Sequence, residues 1–272
     1  MKPKDLPNTI FKFRDWNAEY GRDPLEKFEL YFSSPASFND PFDSKIKYNY
    51  SLLNDAERNG YIQKLLSKGK QNFDNLSIPL SHQNRVQMIK MMMNDKEKFQ
   101  TWAEELEEDI INKTIGIISF SQQWKNVLMW SHYAKHHSGY CIGLNEAKLR
   151  NTGKIKYGGI VNYTTDDKFP SIHPMMDEYE SFYHKFFTKS KDWYYEEEYR
   201  IVNFIHPDKD ADSSSRLLKY DADFIDEVIL GIKMSESDRK EIIDLCKNLG
   251  VKVYQAVEKN FEFEVDRYEI ST

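Results

Sequence analysis

Two cysteines in 272 residues, Cys141 and Cys246, about a hundred residues apart in apolar settings, offer neither a disulfide framework nor the paired spacing of a zinc site. They read as structural thiols of a reducing compartment. No stretch approaches the ~20 apolar residues that a membrane span requires. The opening MKPKDLPNTIFKFRDW lacks an apolar run after its lysines, so a cytoplasmic chain with no membrane partner is expected. Also missing is any basic run. With a formal charge of -6, no track for a nucleic-acid backbone is evident. Glycine-rich phosphate loops, dinucleotide fingerprints and nucleophile elbows are absent too, and those enzyme classes drop out.

What the chain has instead is aromatic side chains, 17 Tyr, 17 Phe and 5 Trp, which give stacking capacity beyond the needs of a core. The length suffices for one large core, and the irregular order of elements favours α+β over α/β. We expect a single α+β domain over residues 1–272, with a mixed or antiparallel sheet and a helical insertion over 51–113. Within the insertion Leu65, Leu66, Val86, Ile89, Met92, Met93, Trp102, Leu106 and Ile110 recur at helical spacing. Met91 to Met93 read as core filler. The segments 9–13, 30–33, 116–121 and 140–145 read as strands. Asn126 caps a helix between the last two. The C-terminal part reads as strand, Ser-capped helix, Gly stop and strand, with a last strand around Phe261 to Val265. HPDKDADSSSR reads as a polar surface loop.

Several constellations could carry chemistry. In WYYEEEYR a strand would put Glu196 and Glu198 on one face and Glu197 on the other, so that two carboxylates address one cleft, suited to ribose hydroxyls and a cationic transition state. The alternative is a solvated acidic edge offset by Arg200, which also stands among the candidate binding residues. Ser119 and Ser121 share one face of a strand end. Arg14, at the end of the first strand, has the planar fork that suits a phosphate. His132 and His136 lie four apart, but Tyr133 stands where a zinc protease needs an acid, so no metal is expected. Asn39, Asp40 and Asp43 in FNDPFD either ligate a cation or fix their loop. Tyr31, Trp130 and Tyr133 are candidate stacking faces.

The ordered set FKFR, YFSSPASFNDPFD, SFSQQWKNVLMWSHYAKHHSGYCIGLN, WYYEEEYRIV and EVILGIKMS resembles an uncharacterised bacterial family, a domain of unknown function. More distantly, an Arg on the first strand, a Ser-ending strand followed by a helix, and a late Glu-x-Glu resemble the Arg, Ser, Glu pattern of the ADP-ribosyltransferases, here Arg14, Ser119 and Glu198. Phe120 departs from the usual Ser-Thr-Ser. That resemblance implies an ADP-ribosyltransferase-like fold and an NAD-consuming transferase or glycohydrolase, in which Arg14 helps hold the dinucleotide and Ser119 supports the nicotinamide ribose pocket. Glu198 would bond the ribose as the nicotinamide bond breaks, and Glu196 would orient an acceptor. NAD would be substrate, and a protein or nucleic-acid acceptor and a regulatory partner are implied. Family resemblance also suggests a toxin-like effector in anti-phage defence. Two other readings stay open: a binding or sensor module with an aromatic cleft, and a metal-dependent nuclease using Asp40, Asp43, His132 and the glutamates.

Overall fold

The computed structural model describes residues 6–67, 82–165, 168–205 and 213–270. The architecture is mixed α+β. Eight strands build the main sheet: β1 (Thr9–Arg14), β2 (Ile115–Ser121), β3 (Tyr140–Asn145), β4 (Tyr157–Ile160), β5 (Glu198–Phe204), β6 (Ile225–Leu230), β7 (Lys252–Glu258) and β8 (Val265–Ile270). Their order across the sheet is β8-β7-β6-β3-β1-β2-β5-β4. Every neighbouring pair is antiparallel except β6 and β7, which run parallel.

Strand alternation sorts the apolar residues to two faces. Ile10, Ile118, Phe120, Ile142, Leu144, Tyr199, Ile201, Val228 and Leu230 share one large core. On the other face Phe11, Phe13, Cys141 and Ile229 pack with Met129 and Trp130, while Ile115, Ile117 and Val202 pack with Phe182, Phe186 and Phe187. Helices α1 (Asp23–Glu26), α2 (Asp55–Ser67), α3 (His82–Asn94), α4 (Lys96–Thr114), α5 (Val127–Tyr133), α6 (Glu146–Asn151), α7 (Glu178–Phe186) and α8 (Glu236–Leu249) lie between and beside the strands.

Strand β6 crosses to its parallel neighbour β7 through α8, the connection that parallel strands require. Ser235 caps α8 by accepting from the Asp238 N–H, and Gly250 ends it in the left-handed conformation at φ 68°. Both thiols are buried, Cys141 in β3 and Cys246 in α8, and burial raises each, Cys246 to about 12.

Among the described residues of 51–113 stand helices α2, α3 and α4, and Leu53, Met88, Met92, Phe99 and Ala103 form a separate cluster there. Of the methionine run, Met92 is buried, Met91 half-buried and Met93 in solvent, so the run is only in part core filler. The side chains of Leu65 and Leu66, and residues 206–212 of the polar loop, lie outside the described residues.

Two other expectations are corrected. The helix with His132 stops at Tyr133, and Lys135, His136 and His137 take positive φ in succession, so His136 does not share its face. The last strand begins at Val265, because residues 261–264 form the turn from β7 and leave Phe261 and Phe263 in solvent.

Helix α5 sits over the site and depends on Asn126. Its Oδ1 accepts from the N–H groups of Leu128 and Met129, and its amide donates to the Tyr195 carbonyl. Asn126→Ala removes both the cap and the tie, and a loss of about 1–2 kcal/mol in chemical denaturation is expected.

Candidate active site

The main sheet is split. β1 meets β2 at the single pair Phe11 and Ser121, after which the strands diverge. Further along, the vacated edge of β2 is taken by Ser33, whose N–H and carbonyl bond the carbonyl and N–H of Ile117. Alternation then points the N–H and carbonyl of Ser119, midway between, into the opening. A cavity of about 550 Å³ occupies this opening.

Each wall follows from local structure. Ser121 lies opposite Glu198, and Ser119 opposite Arg200, across the β2–β5 ladder, so the four share one face. Lys12 and Arg14 belong to the other face of β1 and reach the cavity because the sheet is open there. Lys12 Nζ donates to the Ser119 carbonyl at 2.8 Å. The turn 15–21 makes one rim. Gly21 closes it where a Cβ would stand 2.0 Å from the Asp15 carbonyl, and its own carbonyl accepts from the Tyr140 hydroxyl. The loop carrying Ser37, Phe38 and Asn39 makes the opposite rim, and Met129, His132 and Tyr133 face in from α5 at helical spacing.

The acidic pair arises by a route other than strand alternation. Glu196 ends a 3-10 turn (Lys191–Glu196), Glu197 is left-handed at φ 42°, and Glu198 opens β5. That reversal turns Glu196 and Glu198 to the same side, both buried, while Glu197 stays half-buried outside. Lys189 binds both, at 2.6 Å to Glu196 and 3.5 Å to Glu198. Arg200 grips Glu198 through Nε and Nη2 at 2.7 and 2.8 Å, and Asp43 through Nη1 and Nη2 at 2.9 and 2.7 Å. Its remaining capacity goes to the Phe186 carbonyl at 2.8 Å.

Charge states follow. Burial works against the Glu198 carboxylate, but Arg200 and Lys189 outweigh it and hold the group down to about 2. Glu196 moves the other way, raised by burial and by Glu198 against the pull of Lys189. Tyr133 donates to Glu196 at 2.7 Å, and burial and that carboxylate raise its phenol. Lys12 is lowered to about 7 by burial and then by Arg14, with Glu198 opposing.

Arg14, Ser119, Ser121, Asn39, His132, Tyr133, Glu196 and Glu198 therefore line one cavity. Four other candidates stand elsewhere. Arg200 lies beneath the cavity floor with its donors consumed, a positioning residue for Glu198. Trp130 is fully buried and donates to the Trp124 carbonyl. Tyr31 is exposed on a short strand paired with Leu217. Asp40 is buried and accepts from the Phe42 N–H within its own turn, the loop-fixing use of such residues. Asp43 belongs to Arg200, and no three His, Cys, Asp or Glu side chains converge on a metal position among the described residues.

Sequence reasoning missed Lys12 and Lys189. Lys12 was within reach, since it lies two residues before Arg14 on a strand and so shares its side. Nothing local marks Lys189.

Residues 129–201 match a family described as "Protein of unknown function (DUF2971)". That stretch runs from α5 through Lys189 and the glutamates to Arg200, and so covers one wall of the cavity and its acidic floor except Asp43. The chain matches no curated protein and no solved structure.

Proposed function

We propose that the cavity binds NAD and cleaves the bond between its nicotinamide and ribose, passing the ADP-ribose to water or to an acceptor. The observation that carries this reading is the charge that lines the cavity. On its floor three carboxylates, Asp43, Glu196 and Glu198, meet two cations, Lys189 and Arg200, so the formal balance is negative. From the other face of β1 Lys12 and Arg14 reach the same cavity without a carboxylate ion pair among the described residues. NAD carries both kinds of charge, a cationic nicotinamide ring and an anionic pyrophosphate.

The chemistry asks little beyond placement and electrostatics. The nicotinamide leaves as a neutral base with the electron pair of the C–N bond, and positive charge develops on the ribose. Glu198, held ionised by Arg200, faces that charge with no reorganisation. The raised Glu196, bonded by Tyr133, is placed to take a proton from the incoming nucleophile, which attacks the ribose carbon as the base departs. Phe11, Phe13, Phe38, Phe120 and Tyr133 supply ring surface along the walls. An ADP-ribosyltransferase-like arrangement is supported by the convergence of Arg14, Ser119 and Glu198.

The direct test is nicotinamide release from NAD by the purified protein, alone and with cell extract as a source of acceptor and activator. Release is expected. Silence in both conditions overturns the reading and favours an aromatic binding module.

A further inference from the structure

We propose that the outer strand β8 is a self-association edge, on which a second copy of this chain seats its own β8 antiparallel and extends the sheet across a two-fold axis at Tyr268. Neither the cavity nor its ligand takes part.

Strand β8 ends the main sheet and pairs with β7 on one side only. Where the hairpin turns, the Lys259 N–H donates to the Glu264 carbonyl at 3.0 Å, and that bond fixes which residues of the ladder exchange hydrogen bonds. Asp266, Tyr268 and Ile270 face β7 with their backbone groups. Val265, Arg267 and Glu269 turn theirs outward, where no backbone group of the described residues meets them. Such a row is a template for another strand. The ladder runs from Val253 with Ile270 to Glu258 with Val265 without a bulge, and β8 holds neither proline nor lysine, so three devices that blunt an edge are missing. The opposite edge, β4, is four residues long with Gly158 and Gly159 at its centre, and offers little side chain to specify a partner.

Charge selects the occupant and the register. A two-fold axis normal to the sheet sets two copies of β8 antiparallel, with outward residues opposite outward residues. Centred on Tyr268, each Arg267 faces the partner's Glu269, and each such pair exchanges both backbone hydrogen bonds. Centred on Asp266, Arg267 or Glu269 instead, that residue faces its own copy, and like charges directly opposite destabilise. The side chains are free to respond. Arg267 uses Nη1 on Glu227 at 2.7 Å, and its planar fork has further donors for the partner's carboxylate. Glu269 is exposed and held loosely, by Tyr254 at 3.4 Å and Lys252 at 3.8 Å. The same register lays Tyr268, 54% exposed, against the partner's Tyr268 in a pair without hydrogen bonds, the closer kind, where aromatic rings meet. In the single chain the Asp266 carboxylate caps the Arg267 N–H at 2.8 Å. Pairing displaces that cap, so the association is reversible.

Sedimentation velocity of the purified full chain, from micromolar to millimolar concentration, is expected to show a monomer–dimer equilibrium. Glu269→Lys sets an ammonium against Arg267 in both symmetric pairs and is expected to weaken the dimer by about 10-fold or more. Glu269→Pro removes an outward N–H while leaving the bonds to β7, and is expected to abolish it. Should the proline variant fail to fold, Glu269→Lys decides. Register is read separately. Both native cysteines are buried, so Tyr268→Cys adds one exposed thiol, which the axis places against its own copy within disulfide reach. Mild oxidation is expected to give a covalent dimer, whereas Asp266→Cys, opposite the partner's Ile270, is expected to crosslink about 10-fold more slowly or less. A chain that stays monomeric throughout that range overturns the proposal, as does a dimer that Glu269→Lys leaves unchanged while circular dichroism shows the variant folded. Equal crosslinking of the two cysteine variants overturns it too.

Discussion

Glu198→Gln is expected to lower nicotinamide release by roughly 100- to 1000-fold, the range seen when one preorganised electrostatic group is removed from a transition state. Gln keeps the shape and accepts a hydrogen bond, but it carries no charge to set against the forming cation. The substitution also leaves Arg200 with Asp43 as its remaining carboxylate partner, and the Arg200 side chain is fully buried. Some stability is lost for that reason, so activity must be compared at a temperature where circular dichroism shows both proteins folded. Binding of ADP-ribose, which lacks the scissile bond, should change far less than the rate. Equal rates in wild type and variant would remove Glu198 from the chemistry.

Arg200→Met should affect stability more than any other single change at the site. The guanidinium is the joint between the 39–43 loop, the end of α7 and β5, through Asp43, the Phe186 carbonyl and Glu198. Its removal leaves two buried carboxylates without their strongest partner. A loss of about 3–5 kcal/mol is expected, which for a chain of this size lowers the melting temperature on the order of 10 °C. The sign with pH is fixed by Glu198. Its group is depressed on folding, so the stabilisation is fully present above the ordinary 4.5 and fades as pH falls toward about 2. Wild type should therefore lose stability through that acid window by differential scanning calorimetry, and Arg200→Met should show a flattened dependence there. A variant as stable as wild type with an unaltered acid limb would show that Asp43 and Glu198 are held by something other than Arg200.

Much of the fold is written in local patterns. The strand and helix from Gly116 to Tyr133, the caps at Asn126 and Ser235 and the stop at Gly250 follow from alternation, periodicity and turn chemistry, all of which act over a few residues. The local reading fails where a position is decided at long range. A strand would have paired Glu196 with Glu198, and in fact a left-handed Glu197 pairs them, a conformation the residue type disfavours and tertiary contacts impose. Trp130 looks like a stacking face in the sequence, yet the helix turns it to the core and presents His132 and Tyr133 instead. Lys189 joins the site only because the chain after α7 passes beneath the glutamates. Arg200 is the clearest case. Its partner Asp43 lies 157 residues earlier, and no spacing rule connects them.

That separation bears on the order of assembly. Asp43 leaves the ribosome well before Arg200, and helices α2 to α4 lie between. Closing a loop of this length is slow because chain entropy is lost before the contact repays it. Strand β5, which lies next to β2 in the sheet, must arrive before the loop of Asp43 can be tied down. Local helices and strands can thus form while the floor of the cavity is still unformed. A nascent or truncated chain that ends before β5 would be folded in part and lack the cavity floor, so that synthesis itself sets the moment at which the site begins to exist.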